Sequence, residues 1–342
     1  MHRVRLGERL AWAVAATAIA GGLLTGTARA ADEKAMVMKI SIPTINDILH
    51  DYAKRLGARI EKDSGGRITA EVYPASQLGS IPRQIEGTQF GSIQCAIEPP
   101  EFFAGIDERF EILASPGLVY SMPNAQRVAD DPEVQKLMFS LGANKGLHGN
   151  GLFVALPSSV ITKVPIRHLD DFKGKKIRIL ASDFQQKAFE RLGVTPVAMS
   201  LGDVLPAIQQ GAIDGSIAGI TVFTSMHYAD AAKYVTEMGQ PYIFLISEFS
   251  QKWFDGLPKD LQAIVDKAAI EEATATTRVA PDFFENARKD WVAGGGELIS
   301  LPPDEQATML KTLASVAEDV SSHKPDLAAA YKIVSDVAKR TR

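Results

Sequence analysis

Residues 176–218 read KIRILASDFQQKAFERLGVTPVAMSLGDVLPAIQQGAIDGSIA, and this stretch decides the fold class. Residues 176–180 have the pattern of a short strand, 184–192 have helical spacing, and a second strand follows around 194–199. A short helix and a third strand at 213–217 complete the unit. Strands that alternate with helices at this spacing predict an α/β fold with a largely parallel sheet covered on both faces.

The same alternation opens the chain. Residues 37–42 and 68–73 have strand patterns, a helix with apolar residues at every third or fourth position lies between them, and a helix at 81–90 precedes a short apolar strand at 93–97. Two α/β series, one before and one after Gly151, predict two lobes. Parallel sheets bind small ligands at the carboxyl ends of their strands, so we expect the site there.

The first thirty residues have the pattern of a secretory signal peptide. Three arginines precede the apolar run 10–24, and Ala28-Arg29-Ala30 has the small-x-small form of a cleavage site. The alternative is a membrane anchor, but the run is shorter than the roughly 20 apolar residues that a span requires. We therefore predict cleavage after Ala30 and a mature chain in the periplasm.

Composition excludes several classes of function. The 37 Lys and Arg residues against 41 Asp and Glu residues leave no basic surface for nucleic acid. The single cysteine, Cys95, and six scattered histidines exclude a disulfide and a Cys-rich zinc site. Nucleotide-binding, zinc-protease and nucleophile-elbow motifs are all missing from the sequence. We predict no cofactor, no metal site and no catalytic residues.

Several phrases of the mature chain resemble the solute receptors of tripartite ATP-independent periplasmic (TRAP) transporters, the DctP-like family. They are SGGR at 64–67, VYPASQLG at 72–79, DDFKGKKIRIL at 170–180, LGVTPVAMS at 192–200, AIQQGAIDG at 207–215 and LPKDLQ at 257–262. Each phrase alone is weak evidence of this resemblance. Their occurrence together, in this order and behind a signal peptide, makes the resemblance specific.

The resemblance implies a two-lobed α/β periplasmic binding protein fold with mixed or parallel sheets. It implies a receptor that closes around an organic acid and delivers it to the small and large membrane permease subunits, with no reaction catalysed. We assign residues 31–156 with 245–280 to lobe I and 157–244 with 281–342 to lobe II. A long helix from 259 to about 291, with Pro281 as a kink, bridges the lobes. We expect a monomer.

The family's most typical ligand-binding residue is the arginine of its K-I-R strand, which is Arg178 here. Strand alternation puts Arg178 on one face with Leu180, and Ile177 and Ile179 on the other. A guanidinium can hold a carboxylate through two parallel hydrogen bonds. The alternative is a structural cation, solvated beside Lys176 or paired with an internal aspartate.

The chain departs from many relatives at two places. Where they carry a further arginine it has Pro157-Ser158-Ser159-Val160, and where they carry Q-E-N it has Ser216-Ile217-Ala218. Small and apolar residues at these places favour a less polar ligand, because a sugar acid would lose hydrogen bonds on burial. We therefore predict an aromatic or branched monocarboxylate. Ala218 is a predicted pocket wall, and Ser158 and Ser159 either donate to the ligand or form a turn.

Other candidate ligand contacts lie in loops that follow the strands. Asn46 and Thr44 follow the first strand, Glu98 and Phe102 follow the third, and Phe223 follows the I-D-G turn. The two phenylalanines are equally compatible with a core position.

Rival functions share the two-lobed shape. A receptor for an ABC importer, a secreted enzyme with a dispersed catalytic site in the same cleft, and a ligand sensor linked to a membrane kinase remain open from residue patterns alone. The K-I-R and I-D-G phrases favour the TRAP receptor.

Overall fold

The computed structural model describes residues 35–342, and the predicted signal peptide and its cleavage site lie outside them. The described chain folds around one nine-stranded mixed sheet. The strands are β1 (Met36–Ser41), β2 (Ile68–Tyr73), β3 (Cys95–Glu98), β4 (Leu147–Thr162), β5 (Lys176–Ile179), β6 (Thr195–Ala198), β7 (Gly215–Ala218), β8 (Tyr234–Ser250) and β9 (Glu297–Ser300). Their order is β2-β1-β3-β8-β4-β7-β5-β6, with β9 beside β8.

Twelve α-helices cover this sheet in the described part of the chain. They are α1 (Ile48–Asp63), α2 (Ile81–Phe90), α3 (Met122–Asp130), α4 (Pro132–Ser140), α5 (Asp183–Arg191), α6 (Leu201–Gln210), α7 (Ile220–Ser225), α8 (Gln251–Asp255), α9 (Lys259–Ala293), α10 (Pro303–Leu313), α11 (Val316–Ser321) and α12 (Pro325–Arg340). No helix in residues 35–342 combines the length and apolar character needed to cross a membrane.

Two parallel groups of strands flank a central antiparallel pair. Strands β1, β2 and β3 are parallel, as are β5, β6 and β7, and the long strands β8 and β4 join the groups through antiparallel pairing. The predicted α/β class with a mixed or parallel sheet is therefore confirmed. The carboxyl ends of the parallel strands meet near the middle of β4 and β8, which is where the sheet positions a site.

The long strands β4 and β8 are longer than their sequence patterns predict. Residues 152–156 and 242–246 have strand patterns, whereas the strands extend over 16 and 17 residues. Glycines and prolines interrupt the alternation in these strands. The pairing of β4 with β8 therefore shifts register between Asn150 and Phe153, between Val154 and Leu156, and between Pro157 and Ser159. Such irregularities bend a strand without ending it.

The apolar core forms two clusters. One is built around α1, β1 and the first part of α9 up to Ala280, and the other holds most of the remaining buried side chains, including Ala287 and Trp291 of α9. Helix α9 thus continues through Pro281 and contacts both clusters. This position agrees with the predicted bridging helix.

The C-terminal segment forms three helices where the sequence pattern predicts a single helical stretch. Helices α10 and α11 pack on α5, whereas α12 packs against α3 and α4. The predicted boundaries place α12 in lobe II but α3 and α4 in lobe I. The division into lobes at these boundaries stays a prediction.

Candidate functional site

A narrow cavity lies where the carboxyl ends of β1, β3, β5 and β7 meet the middle of β4 and β8. Its open volume is about 70 Å³. The lining residues are Pro43, Thr44, Asp47, Ile48, Leu49, Ile81, Pro99, Phe102, Ala155, Leu156, Arg178, Leu180, Leu201, Ala218, Gly219, Thr221, Val222, Ile243 and Leu245. Convergence of strand ends and helix starts explains why so many segments reach one place.

The cavity wall is apolar apart from four side chains. These are Thr44, Asp47, Arg178 and Thr221, and Arg178 is the one cation among the lining residues of the described chain. A ligand enclosed here meets hydrocarbon on most of its surface. Because burying polar groups without partners is unfavourable, such a wall suits a ligand with few polar groups.

Arg178 reaches the cavity because of its place in β5. The strand is hydrogen-bonded to β6 and β7 on either side, so Ile177 and Ile179 pack on one face and Arg178 projects from the other. Leu180 lines the same cavity. The alternation in the K-I-R strand thus predicts the side of the sheet to which Arg178 points.

The guanidinium of Arg178 is buried and lacks a counter-ion among the described residues. It is 2% exposed, Nε donates to the carbonyl oxygen of Met199 at 2.9 Å, and Nη1 donates to the carbonyl oxygen of Ile217 at 3.1 Å. Burial lowers the pKa of Arg178 to about 10, so the side chain stays cationic at neutral pH. A buried cation held by neutral carbonyls is suited to accept an anion.

Phe102 stands beside this cation. It lies in the 3-10 turn Pro100–Phe103 that follows β3, and its ring centre is 6.0 Å from the guanidinium carbon of Arg178. An aromatic face at this distance attracts a cation and orients it. Phe102 and Ala218, both predicted contacts, therefore line the cavity with Arg178.

Asp47 is a buried carboxyl that the sequence reasoning did not select. It is 3% exposed and caps α1, accepting the His50 backbone N–H at 3.0 Å and the Thr44 hydroxyl at 2.9 Å, both on Oδ1. Burial raises the pKa of Asp47 to about 6, although these hydrogen bonds oppose the shift. The available signal was an aspartate placed between the first strand and the first apolar helix residue.

A wider polar groove, which we call the outer groove, adjoins the cavity. It is lined by Asn46, Asp47, Thr221, Thr224, Ser225, His227, Phe283, Asn286, Ala287 and Asp290, with an open volume of about 460 Å³. Asp47 and Thr221 line both spaces, so they stand at the boundary between them. Arg178 lines the cavity but not the outer groove.

Several predicted contacts do not line the cavity. Asn46 lies in the outer groove, and Phe223 is buried and packs against Tyr228 with ring centres 5.4 Å apart. Ser158 and Ser159 are buried in β4, and the Ser158 hydroxyl has no partner in the described chain. Their role in binding stays a prediction without geometric support here.

Glu98 is also absent from the cavity wall. It is fully buried at the end of β3, and its carboxylate oxygens have no hydrogen-bond partner among residues 35–342. Burial raises its pKa well above the usual range, as it does for Glu248 on the neighbouring strand β8. A neutral carboxyl in this place adds no negative charge near the site.

A polar relay joins the Arg178 strand to the turn that carries Phe102. The Leu180 backbone N–H donates to Gln185 Oε1 at 3.0 Å, and Gln185 Nε2 donates to Glu101 Oε1 at 3.2 Å. Glu101 is 5% exposed, and burial raises its pKa to about 7. The segments predicted to belong to opposite lobes are thus hydrogen-bonded beside the cavity.

A second contact between these segments is ionic. Glu111 Oε2 accepts the Asp183 backbone N–H at 2.6 Å, and Lys324 Nζ lies 2.8 Å from Asp183 and 3.4 Å from Glu108. The lysine thereby bridges acidic groups from both segments. Together with the relay, it holds the cavity narrow.

An α/β fold with an enclosed cavity at the ends of its strands, and one buried cation in an apolar wall, defines a small-molecule receptor. The model of the bacterial extracellular solute-binding protein family 7, DctP, matches residues 41–323. The chain belongs to this family. Because the family consists of solute-binding receptors, the predictions of the family, of the receptor class and of a non-enzymatic role are confirmed.

Individual relatives agree with the family assignment. The C4-dicarboxylate-binding periplasmic protein DctP of Rhodobacter capsulatus is 26% identical over 265 residues, covering 76% of this chain and 79% of that protein. The sugar acid binding protein of Advenella mimigardefordensis in complex with galactonate has a TM-score of 0.85 at 20% identity, covering 91% of this chain and all of that one.

A second solved structure is similar in fold. A TRAP periplasmic solute binding protein from Desulfovibrio salexigens with bound orotic acid has a TM-score of 0.84 at 18% identity, covering 90% of this chain and 99% of that one. These likenesses support the two-lobed receptor fold that the sequence predicts.

Proposed function

We propose that the protein captures an aromatic or branched monocarboxylate in its cavity and delivers it to TRAP permease subunits. The observation that carries this proposal is the single buried cation, Arg178, in an otherwise largely apolar wall. One guanidinium neutralises one carboxylate, and the apolar wall stabilises a hydrocarbon or aromatic body.

The relatives support an organic acid as the class of ligand. The proteins with similar fold or sequence bind galactonate, orotic acid and C4-dicarboxylates, all of which carry at least one carboxylate. Orotic acid shares a planar ring and a single carboxylate with the aromatic acids proposed here, although its ring carries more polar groups. The family and the predicted signal peptide support a location in the periplasm. The monomeric state stays a prediction.

The polarity of the wall distinguishes this ligand from a sugar acid. Ala218 and Gly219 line the cavity at the end of β7, and Ala155 and Leu156 line it from β4. None of these side chains can accept or donate a hydrogen bond to a row of hydroxyls. A galactonate molecule would bury hydroxyls without partners, at a cost of about 1–3 kcal/mol for each.

A thermal-shift screen of organic acids on the mature protein tests the proposal, because a ligand that binds only the folded state raises the melting temperature. We expect arylacetates and branched-chain acids to raise it and galactonate and succinate to leave it unchanged. Calorimetry on the hits gives the affinities. Tighter binding of galactonate or succinate than of any monocarboxylate would overturn the proposed ligand class.

A further inference from the structure

Asp47 is a buried carboxyl without a cationic partner among the described residues, and it lines both the cavity that holds Arg178 and the outer groove. Within the described residues it forms no ion pair, and both of its hydrogen bonds reach Oδ1. No side chain in residues 35–342 donates a hydrogen bond to Oδ2, and this oxygen is not one of the fully enclosed unpartnered atoms. Oδ2 is therefore accessible to a ligand, and a donor that reaches this carboxylate adds affinity.

The position of Asp47 gives the cavity a direction. Asp47 and Thr221 line both the cavity and the outer groove, whereas Arg178 lines the cavity alone. Most of the other lining side chains are apolar, among them Leu156, Leu180 and Val222. A ligand that places its carboxylate on Arg178 therefore packs its apolar body against these side chains, and a polar group elsewhere on the ligand can reach Asp47.

From this geometry we infer that Asp47 is a specificity-determining residue that accepts a hydrogen bond from the far end of the ligand. The ligand class is then a monocarboxylate with an aromatic or branched body and a hydrogen-bond donor, a hydroxyl or an ammonium group, opposite its carboxylate. This inference rests on the proposed function. It also predicts that dicarboxylates bind weakly, because their second carboxylate would meet Asp47 and be repelled.

Thr44 supports this role for Asp47. Its hydroxyl lines the cavity and donates to Asp47 Oδ1, and the His50 N–H at the start of α1 donates to the same oxygen. Both donors hold the carboxyl in one rotamer with Oδ2 unengaged. A fixed acceptor discriminates between ligands better than a mobile one, because little entropy is lost on binding.

Pairs of acids in which a methyl group replaces a hydroxyl test the inference. We would measure 4-hydroxyphenylacetate against 4-methylphenylacetate, and 5-hydroxy-4-methylpentanoate against 4-methylhexanoate, by calorimetry on the mature protein. In the pair that fits the cavity, we expect the hydroxyl acid to bind at least about tenfold more tightly than the methyl acid, because the Asp47 carboxylate that accepts its hydrogen bond is charged. A third arm, 4-(aminomethyl)phenylacetate, distinguishes an ammonium donor from a hydroxyl donor.

The variant Asp47→Asn isolates the role of Oδ2. Asparagine is as good a helix cap as aspartate, so its Oδ1 keeps the bonds to Thr44 and His50 while an amide N–H₂ replaces Oδ2. We expect the preference for 4-(aminomethyl)phenylacetate over 4-methylphenylacetate to be lost, because an ammonium group only donates and the amide N–H₂ cannot accept, whereas a ligand hydroxyl can still accept from that amide. Asp51→Asn, on the same helix but paired with Arg55, serves as the control and should keep the preference.

Two failures are distinguishable. If neither member of either pair binds, the proposed function is wrong and the inference falls with it. If the parent protein binds both members of a pair with equal affinity, or if Asp47→Asn retains the preference for the donor ligand, the proposed function stands and Asp47 does not determine specificity.

Discussion

The guanidinium carbon of Arg178 lies 6.0 Å from the centre of the Phe102 ring, although the two residues belong to segments far apart in the sequence. Arg178 belongs to β5, and Phe102 to the turn after β3. The aromatic face supplies partial negative charge, and no carboxylate pairs with Arg178 among the described residues. The cation is therefore held in place without being neutralised, as an anion receptor requires.

Replacement of Arg178 by alanine should weaken ligand binding strongly. Truncating one member of a buried, hydrogen-bonded charge pair costs roughly 2–5 kcal/mol, which is about 30-fold to several thousand-fold in affinity. Arg178→Lys should also bind poorly, because an ammonium group cannot form two parallel hydrogen bonds. Calorimetry with the best acid from the screen measures both effects.

The matched control is Arg83→Ala, an exposed arginine of α2 paired with Glu86. It should leave affinity unchanged. If folded Arg178→Ala protein, checked by circular dichroism, binds within a few-fold of the parent, Arg178 is a structural cation and the ligand is anchored elsewhere.

Ligand affinity should fall as pH rises through about 7, because of Glu101. This buried carboxyl has its pKa raised to about 7 by burial, with Glu111 adding to the shift and Arg178 opposing it. An anion on Arg178 favours the protonated form of Glu101, so binding weakens by at most about tenfold per pH unit above 7.

Calorimetry between pH 6.5 and 8.5, above the pKa of about 6 of Asp47, measures this dependence. Glu101→Gln should give an affinity that changes little with pH, whereas Glu86→Gln, on the exposed face of α2, should retain the parent profile. An unchanged profile in Glu101→Gln would assign the proton to another group.

The stability of the protein should depend on Glu98 and Glu248 at alkaline pH. Their folded-state pKa values are raised well above the usual range by burial. The folded state therefore binds more protons than the unfolded state, so stability is complete below the unfolded pKa near 4.3 and declines as pH rises toward the folded pKa. Glutamine at either position removes this decline.

Thermal unfolding at several pH values tests the effect. We expect the melting temperature of Glu98→Gln or Glu248→Gln, measured relative to the parent, to rise as pH increases from 5 to 8.5. Glu86→Gln should follow the parent throughout. A constant difference between variant and parent across this range would contradict the burial of an uncompensated carboxyl.

The predicted lobes should close on ligand binding. An open volume of about 70 Å³ is too small for an aromatic acid to enter without movement, since ligand pockets commonly enclose 300–1,000 Å³. The register shifts in β4 near Val154 and Pro157 coincide with the predicted crossing at 155–158, and β8 has its counterpart at 239–244. These bends are the expected hinges.

Small-angle scattering provides the measurement. We expect the radius of gyration to decrease when saturating ligand is added to the mature protein, and to stay constant with a non-binding acid such as succinate. Identical curves with and without a bound ligand would argue against closure.

The sequence by itself predicts much of the architecture. Strand and helix patterns locate β1, β2, β5, β6, α1, α2 and α9 within a few residues, because periodicity reports directly which faces are buried. The K-I-R alternation also predicts the face of β5 that carries Arg178. The sequence analysis did not predict helices α3 and α4 or the full lengths of β4 and β8. In β4, Gly149, Gly151 and Pro157 interrupt the alternation, and pairing with the neighbouring strands maintains the strand.

The composition of the cavity was decided by tertiary structure alone. Strand periodicity tells which face a residue occupies, but not which other segments converge on it. Asp47 lines the cavity because it lies between the end of β1 and the start of α1, whereas Ser158 and Glu98 are buried in the sheet away from the cavity wall. Residue chemistry thus predicts that an anion is bound here, whereas the packing of distant strand ends decides which side chains line the cavity.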